Sequence, residues 1–199
     1  MSINNLRLSL STTDVSANHI FGDTDEWNSL NPELTVGDID QAGEFYDTYI
    51  SFGGVSLNFY FDVRVHSAIL TLLIADNVNN SLADQDLEVY LVNDFVHNCT
   101  TDMGDTAAVG GLNAVTLYIP ESYEGGVTTV TCDVTNLLNW FLENQSSGAR
   151  FNLRITSPLA PIDQIIYFND SDNKAYIQIT SWPEIQPPLG RKKVLRKRK

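Results

Sequence analysis

Carboxylates dominate the reactive side chains of this sequence: 25 Asp and Glu stand against three histidines and two cysteines. Glycosidase chemistry needs two acids held on opposite sides of a sugar bond by rigid strands. The close groups here, such as Asp23/Asp25/Glu26 and Asp38/Asp40, fall in loop-like sequence and read as solvated surface. His19, His66 and His97 are far apart and form neither H-x-x-x-H nor H-E-x-x-H, and no G-x-S-x-G, Cys/His or P-loop pattern occurs. The sequence therefore predicts no catalytic residues and no enzyme. Cys99 and Cys132 match neither a disulfide framework nor a metal or redox spacing, and read as ordinary thiols.

Binding chemistry has better candidates. Hard oxygen ligands clustered on loops can hold Ca2+, and Gly37-Asp-Ile-Asp40 and Asn169-Asp-Ser-Asp-Asn173 are the segments with that composition, making Asp38, Asp40, Asp170 and Asp172 the candidate ligands. Neither segment has the EF-hand spacing, and an Asx-rich turn is the stronger reading of both. Sugar recognition needs aromatic rings that stack on pyranose faces beside Asp or Asn acceptors. Trp27, Tyr46 and Tyr123 lie in polar, loop-like sequence and form the candidate set, although for each alone an ordinary packing residue is the stronger reading. Asn-x-Ser/Thr at Asn79, Asn98, Asn144 and Asn169 is what an Asn-rich chain produces by chance.

Charge divides the chain in two. Of 12 Lys and Arg, seven lie in the last nine positions, where there is no acid, so residues 1–190 hold all 25 acids against five bases, a net −20 beside a +7 tail. A −20 body repels phosphate backbones, so nucleic acid could be contacted only through the tail. Pro183, Pro187, Pro188 and Gly190 introduce that tail and favour an extended lead-out. The expected organisation is one domain over 1–182 and a stem with a basic tail over 183–199. In the tail, Arg191, Lys192, Lys193, Arg196, Lys197, Arg198 and Lys199 supply attraction and register, and Val194 and Leu195 a small apolar anchor. No stretch approaches a membrane span. The N-terminus lacks a basic region followed by an apolar core, so no secretory leader is legible, and synthesis in a cytosol is expected, with retention there or release by another route.

The elements that must position these residues are mostly strands. In 86–92, Leu87, Val89 and Leu91 alternate with Asp86, Glu88 and Tyr90. In 149–156, Phe151, Leu153 and Ile155 alternate with Arg150, Asn152, Arg154 and Thr156, predicting one core face and one solvent face. Further strands are predicted over 34–36, 48–52, 57–61, 68–75, 114–119, 127–132, 164–168 and 175–180, separated by loops rich in Asn, Asp, Gly and Pro. Short strands with such punctuation predict an all-β antiparallel sandwich or jelly roll. One segment breaks the period: 133–144 places Val134, Leu137, Leu138, Phe141 and Leu142 at helical spacing, with Asp133 or Thr135 as N-cap and Trp140 as a core or cap residue. That helix is expected across one open end of the sandwich.

The order of these elements resembles the DNRLRE-type domain. Glu33-Leu-Thr-Val-Gly37, Asp47-Thr-Tyr-Ile-Ser-Phe-Gly53 and Ser67-Ala-Ile-Leu-Thr-Leu-Leu-Ile74 are similar to that family's first three strands. Val130-Thr-Cys-Asp-Val-Thr-Asn-Leu-Leu-Asn-Trp140 is similar to its "D-V-T-x-L-V-x-x-W" strand-to-helix corner, and Phe151-Asn-Leu-Arg-Ile155 and Ala175-Tyr-Ile-Gln-Ile179 to its closing strands. The family's Ser-Arg-Glu segment before the last strand is replaced by Phe168-Asn-Asp-Ser-Asp-Asn-Lys174. Over about residues 30–182, the resemblance implies a jelly-roll module without catalysis, used in some members to bind polysaccharide and often appended to secreted or cell-surface proteins.

Two functions are expected from these features. The first is a structural, non-enzymatic jelly roll that decorates a larger protein assembly, a phage-type capsid, head or tail surface, through its basic C-terminal tail. It would be made in the host cytoplasm, be oligomeric in the assembly, and touch surface glycans through its loops. The second is a stand-alone carbohydrate-binding module supported by Ca2+, located extracellularly or at a cell surface. No membrane partner is expected.

Overall fold

A computed structural model describes residues 4–9, 16–21, 27–28, 33–38, 45–52, 57, 64–78, 85–92, 108–119, 128–146, 149–157, 165–169 and 175–181. Twelve strands and one helix with described ends occur among them. The strands are β1 (Asn4–Ser9), β2 (Ser16–Phe21), β3 (Trp27–Asn28), β4 (Glu33–Asp38), β5 (Phe45–Phe52), β6 (Val65–Val78), β7 (Gln85–Val92), β8 (Val115–Ile119), β9 (Thr128–Asp133), β10 (Phe151–Thr156), β11 (Ile165–Asn169) and β12 (Tyr176–Ser181). The helix, α1, spans Thr135–Asn144. The predicted all-β antiparallel sandwich with one short helix is the observed architecture.

Every strand pairing is antiparallel, and the register shows how two sheets form. β6 pairs with β12 through Val65–Thr71 and with β11 through Ile74–Val78 along one edge, while β9 takes its other edge. β1 extends that sheet beyond β12. In the second sheet β5 pairs with β2 on one edge and β10 on the other, and β7 and β8 follow outward from β10. β3 flanks β2. β4 pairs with β11 of the first sheet and, through Gly37 and Asp38, with β5 of the second, stitching the layers along one side.

The alternation of apolar residues dictates which faces meet. Ala68, Leu70, Leu72, Val130, Cys132, Ile177 and Ile179 from the first sheet are buried with Ile50, Phe52, Leu87, Val89, Leu91, Leu117, Phe151, Leu153 and Ile155 from the second. α1 closes the end where β6 and β10 begin. Its Leu137, Leu138, Phe141 and Leu142 are buried, and the Phe141 ring meets Phe151 edge-on at 5.3 Å and 64°. Trp140 is half-buried against the same core.

The corner between β9 and α1 explains its own sequence. Val134 donates its N–H to the Ala68 carbonyl at 2.9 Å, and Thr135 Oγ1 accepts the Ala68 N–H at 2.8 Å, so the β6–β9 ladder continues into the first helical residue. Asp133 Oδ1 accepts from the Thr135 N–H at 2.9 Å and from the Thr135 hydroxyl. The capping carboxylate thus comes from Asp133, one position ahead of the formal N-cap, Val134, whose side chain is fully buried. Asn139 then reaches back from α1: its Nδ2 donates to the Val65 carbonyl at 3.0 Å and its Oδ1 accepts the Val65 N–H at 3.1 Å. One amide side chain satisfies both backbone groups of the first β6 residue as a neighbouring strand would.

Four expectations need correction. β1, β2 and β3 were not predicted from sequence, although Leu6 and Leu8 alternate with polar residues in β1. Leu57, predicted to begin a strand, is helical and fully buried, and the remainder of 58–61 lies outside the described residues. The strand predicted over 68–75 runs for 14 residues, because β12 and β11 in succession supply partners along its whole length. The outer face of β10 is not a solvent face: Asn152 is 1% exposed.

Candidate functional site

That unexpected burial marks the most distinctive surface among the described residues, the outer face of β5–β10–β7–β8. Period-two alternation sets Asp47, Tyr49 and Ser51 of β5, Arg150, Asn152, Arg154 and Thr156 at β10, Asp86, Glu88 and Tyr90 of β7, and Thr116 and Tyr118 of β8 opposite the apolar core residues. Pairing aligns them into rows: Ser51 opposite Asn152, Tyr49 opposite Arg154 opposite Tyr90, Thr156 opposite Glu88 opposite Thr116, and Asp86 opposite Tyr118.

Burial falls along this face. Asp47, Tyr49 and Ser51 are buried, Arg154, Tyr90 and Glu88 are half-buried, and Tyr118 is 50% exposed, the large hydrophobic side chain that stands open among the described residues. β8 owes its place to a short return. The Val109 N–H donates to the Leu91 carbonyl at 2.8 Å, the chain turns through Gly111 at a φ of 86°, and β8 then runs back along β7. A φ in that region suits glycine.

Hydrogen bonds order the deep half. Arg154 Nε donates to Asp47 Oδ2 at 2.6 Å. Arg150 Nε donates to Ser51 Oγ at 2.8 Å, and the Ser51 hydroxyl donates to Asn152 Oδ1 at 2.7 Å. Burial raises the Asp47 carboxyl above its ordinary range, against the opposing attraction of Arg154 and hydrogen bonds from Thr156 and Arg154. In the open half the Tyr90 hydroxyl donates to Glu88 Oε2, a bond that, with burial and the Glu88 charge, raises the Tyr90 phenol. The result is a gradient along the face, from buried, fixed polar side chains at β5 and β10 to more exposed carboxylates and phenol rings at β7 and β8.

The sequence-predicted residues are distributed differently. Trp27 and Tyr46, expected in loops, are strand residues of β3 and β5. Trp27 stands opposite His19 in register, and His19 stands opposite Asp47, so Trp27 belongs to the row that carries Asp47. Tyr46 pairs with Gly37 and Ile20. Asp38, expected in a loop, ends β4 opposite Phe45. Tyr123, Asp40, Asp170, Asp172 and Arg191 through Lys199 lie outside the described residues. Cys99 does too, whereas Cys132 is a buried free thiol, pushed up to about 12 by burial and by Asp133. Among the described residues no group of three or more His, Cys, Asp or Glu could hold a metal ion, and no helix is long and apolar enough to cross a membrane.

The sequence reading did not single out Asp47, Glu88, Tyr90, Arg154 and Tyr118, which the sheet gathers on this face. The signal was present in the polar half of the alternation over 86–92 and in the placement of two of the five bases of residues 1–190, Arg150 and Arg154, on one strand face.

No family model matches this chain, and no curated protein matches it. The resemblance to the DNRLRE-type domain therefore rests on motif order. Among solved structures the chain is similar to the native structure of a family 35 carbohydrate-binding module from Clostridium thermocellum, with 9% identity over 88% of this chain and 97% of that one and a TM-score of 0.31.

Proposed function

We propose that this protein is a carbohydrate-binding β-sandwich without catalytic activity and that the outer face of β5–β10–β7–β8 is its binding face. The observation that carries this reading is the gradient from the fixed Asp47–Arg154 and Ser51–Asn152 pairs to the exposed Tyr118 ring. Stacking on an aromatic face and hydrogen bonding to hydroxyls are the two interactions sugar recognition needs. Asp47, the buried acid of this face, is committed to an ion pair, which disfavours a role in proton transfer. Membership of the DNRLRE-type group is part of the same reading, supported by the order of its strand and corner motifs. A glycan array probed with the full chain tests it. Binding that falls about tenfold on Tyr118→Ala, as loss of one stacking ring of roughly 1.4 kcal/mol requires, supports the reading. Absence of binding to every glycan class overturns it.

The partition of charge favours a second reading. The +7 segment 191–199 on a −20 domain would anchor the sandwich in an acidic groove of a larger assembly, such as the capsid or tail surface of a phage-type virion. Deleting residues 190–199 tests it by co-sedimentation with assembled particles: incorporation that survives the deletion removes this reading, and loss of incorporation with glycan binding intact supports it.

A further inference from the structure

We infer that the basic C-terminal segment 191–199 docks in cis on the exposed stripe of α1 that carries Asn136, Trp140, Glu143 and Asn144, so that any acidic partner has to displace it from there. The inference rests on the reading of this segment as an anchor and names where that anchor sits in the free chain.

β12 runs antiparallel to β6 and ends at Ser181, which stands opposite Val65, the first residue of β6. Val65 is also the residue whose N–H and carbonyl pair with the Asn139 amide of α1. The chain therefore leaves the sheet at the end that α1 closes. Arg191 follows Ser181 by ten positions, a reach of about 30 Å at the ~3.1 Å per residue of an extended Pro-rich stem, whereas α1 is about 15 Å long. The whole stripe lies within that reach.

Leu137, Leu138, Phe141 and Leu142 turn one side of α1 into the core. Asn136, Glu143 and Asn144 stay exposed and Trp140 half-buried along the other, at the i, i+4, i+7 and i+8 spacing of a single stripe. Asp133 balances the positive pole of the helix by accepting the Thr135 N–H. The negative pole has no such balance within α1, which contains no Lys, Arg or His and places Glu143 in its last turn.

Segment 191–199 has the complementary chemistry. It holds seven cations and no acid, in a chain whose other 190 residues carry −20. A helix C-terminus, a carboxylate and an indole ring each attract Lys and Arg side chains, and Val194 and Leu195 supply an apolar contact for Trp140. The stem holds the segment at an effective concentration on the order of millimolar, so contacts too weak to join two copies suffice in cis. Arg64, exposed beside Val65, opposes the approach with one charge. Glu143, the helix pole and the field of the −20 domain outweigh it.

Amide and indole NMR spectra of the full chain, compared with those of a chain lacking residues 190–199, test the inference. Removing the segment should shift the Trp140 indole N–H and the amides from Trp140 to Gln145 more than any other signals of the described residues. Raising NaCl from about 0.1 M to about 1 M shortens the Debye length from about 10 Å to about 3 Å, and should move the full-chain signals at least halfway to their positions in the shortened chain. Glu143→Lys, at an exposed position, should reduce the difference between full and shortened chains at least twofold at the lower salt. Superposable spectra of the two chains overturn the inference and leave the anchor reading standing, since that reading is decided by particle association. Shifts centred on another element overturn the site. Differences that grow with protein concentration assign the segment to α1 of a second copy and overturn docking in cis. Differences that survive both high salt and Glu143→Lys overturn charge as their cause, and the inference with it.

Discussion

Arg154 donates from Nε to Oδ2 of Asp47 at 2.6 Å although the two residues are 107 positions apart and the Asp47 side chain is 5% exposed. The pair joins β5 to β10 across the outer face, and its energetics depend on pH. Burial holds the Asp47 carboxyl above its ordinary range, so between the unfolded and folded values the native state binds more protons than the unfolded chain. The stability contributed by this group is therefore fully present at acid pH and declines as pH rises through the folded value. Arg154 limits that decline by lowering the cost of the charged form.

Arg154→Met should expose this dependence. Its deficit relative to the unaltered protein, measured by urea denaturation, should be small near pH 4 and grow toward pH 7. It should reach about 2–3 kcal/mol, below the roughly 3–5 kcal/mol of a fully buried pair because the Arg154 side chain is 27% exposed and partly screened by water. A deficit equal at both pH values would show that Asp47 does not carry it.

Asn139→Leu should destabilise the fold by about 1–3 kcal/mol, since it leaves the Val65 N–H and carbonyl without the amide that pairs both. Asn139→Asp keeps the acceptor and loses the donor, so its urea midpoint should fall between the two. Equivalence of Asn139→Leu with the unaltered protein would mean that α1 is held by its apolar face alone.

Thr135→Val removes the Ala68 N–H acceptor at 2.8 Å at near-constant volume. Loss of about 1–2 kcal/mol is expected, with faster amide exchange at Ala68 as the local readout. Unchanged protection at Ala68 would contradict the proposed continuation of the ladder.

Cys132, with its thiol pushed up to about 12 and 6% of the residue exposed, should resist iodoacetamide at pH 8 in the native protein and react once urea unfolds it. Peptide mapping by mass spectrometry reads this residue separately from Cys99. Rapid native labelling would show that β9 opens readily.

Phe141→Ala removes the ring packed edge-on against Phe151 at 5.3 Å and should cost about 3–5 kcal/mol. A cost under about 1 kcal/mol, read from the urea midpoint, would mean that α1 does not close the core.

Much of the fold was legible because burial on one side of a strand leaves a period of two and burial of one helix stripe leaves a period near 3.6. Leu87, Val89 and Leu91 announced β7, and Leu137, Leu138, Phe141 and Leu142 announced α1, because each set must face one core whatever its neighbours are. The Asp133-Val134-Thr135 corner was legible for a similar local reason: its carboxylate, hydroxyl and backbone act within two residues of one another. Charge partition, too, is a property of the sequence alone, because it is a sum over positions.

The make-up of the outer face of β5–β10–β7–β8 was not legible, and the reason is equally physical. Alternation reports that Asn152 and Arg154 point away from the apolar core, and says nothing of what they meet there. Only pairing of β10 with β5 brings Ser51 to Asn152 and Asp47 to Arg154, and only pairing of β7 with β8 brings Asp86 beside Tyr118. Such cross-strand partners are chosen by register, which depends on contacts across the whole sheet. Local composition singled out Trp27, Tyr46 and Tyr123, whereas strand pairing sets Tyr90 opposite Arg154 and Tyr118 opposite Asp86. The sequence determined which residues leave the core; tertiary pairing decided which of them share a face, because hydrogen-bonded register is a long-range property of the folded sheet.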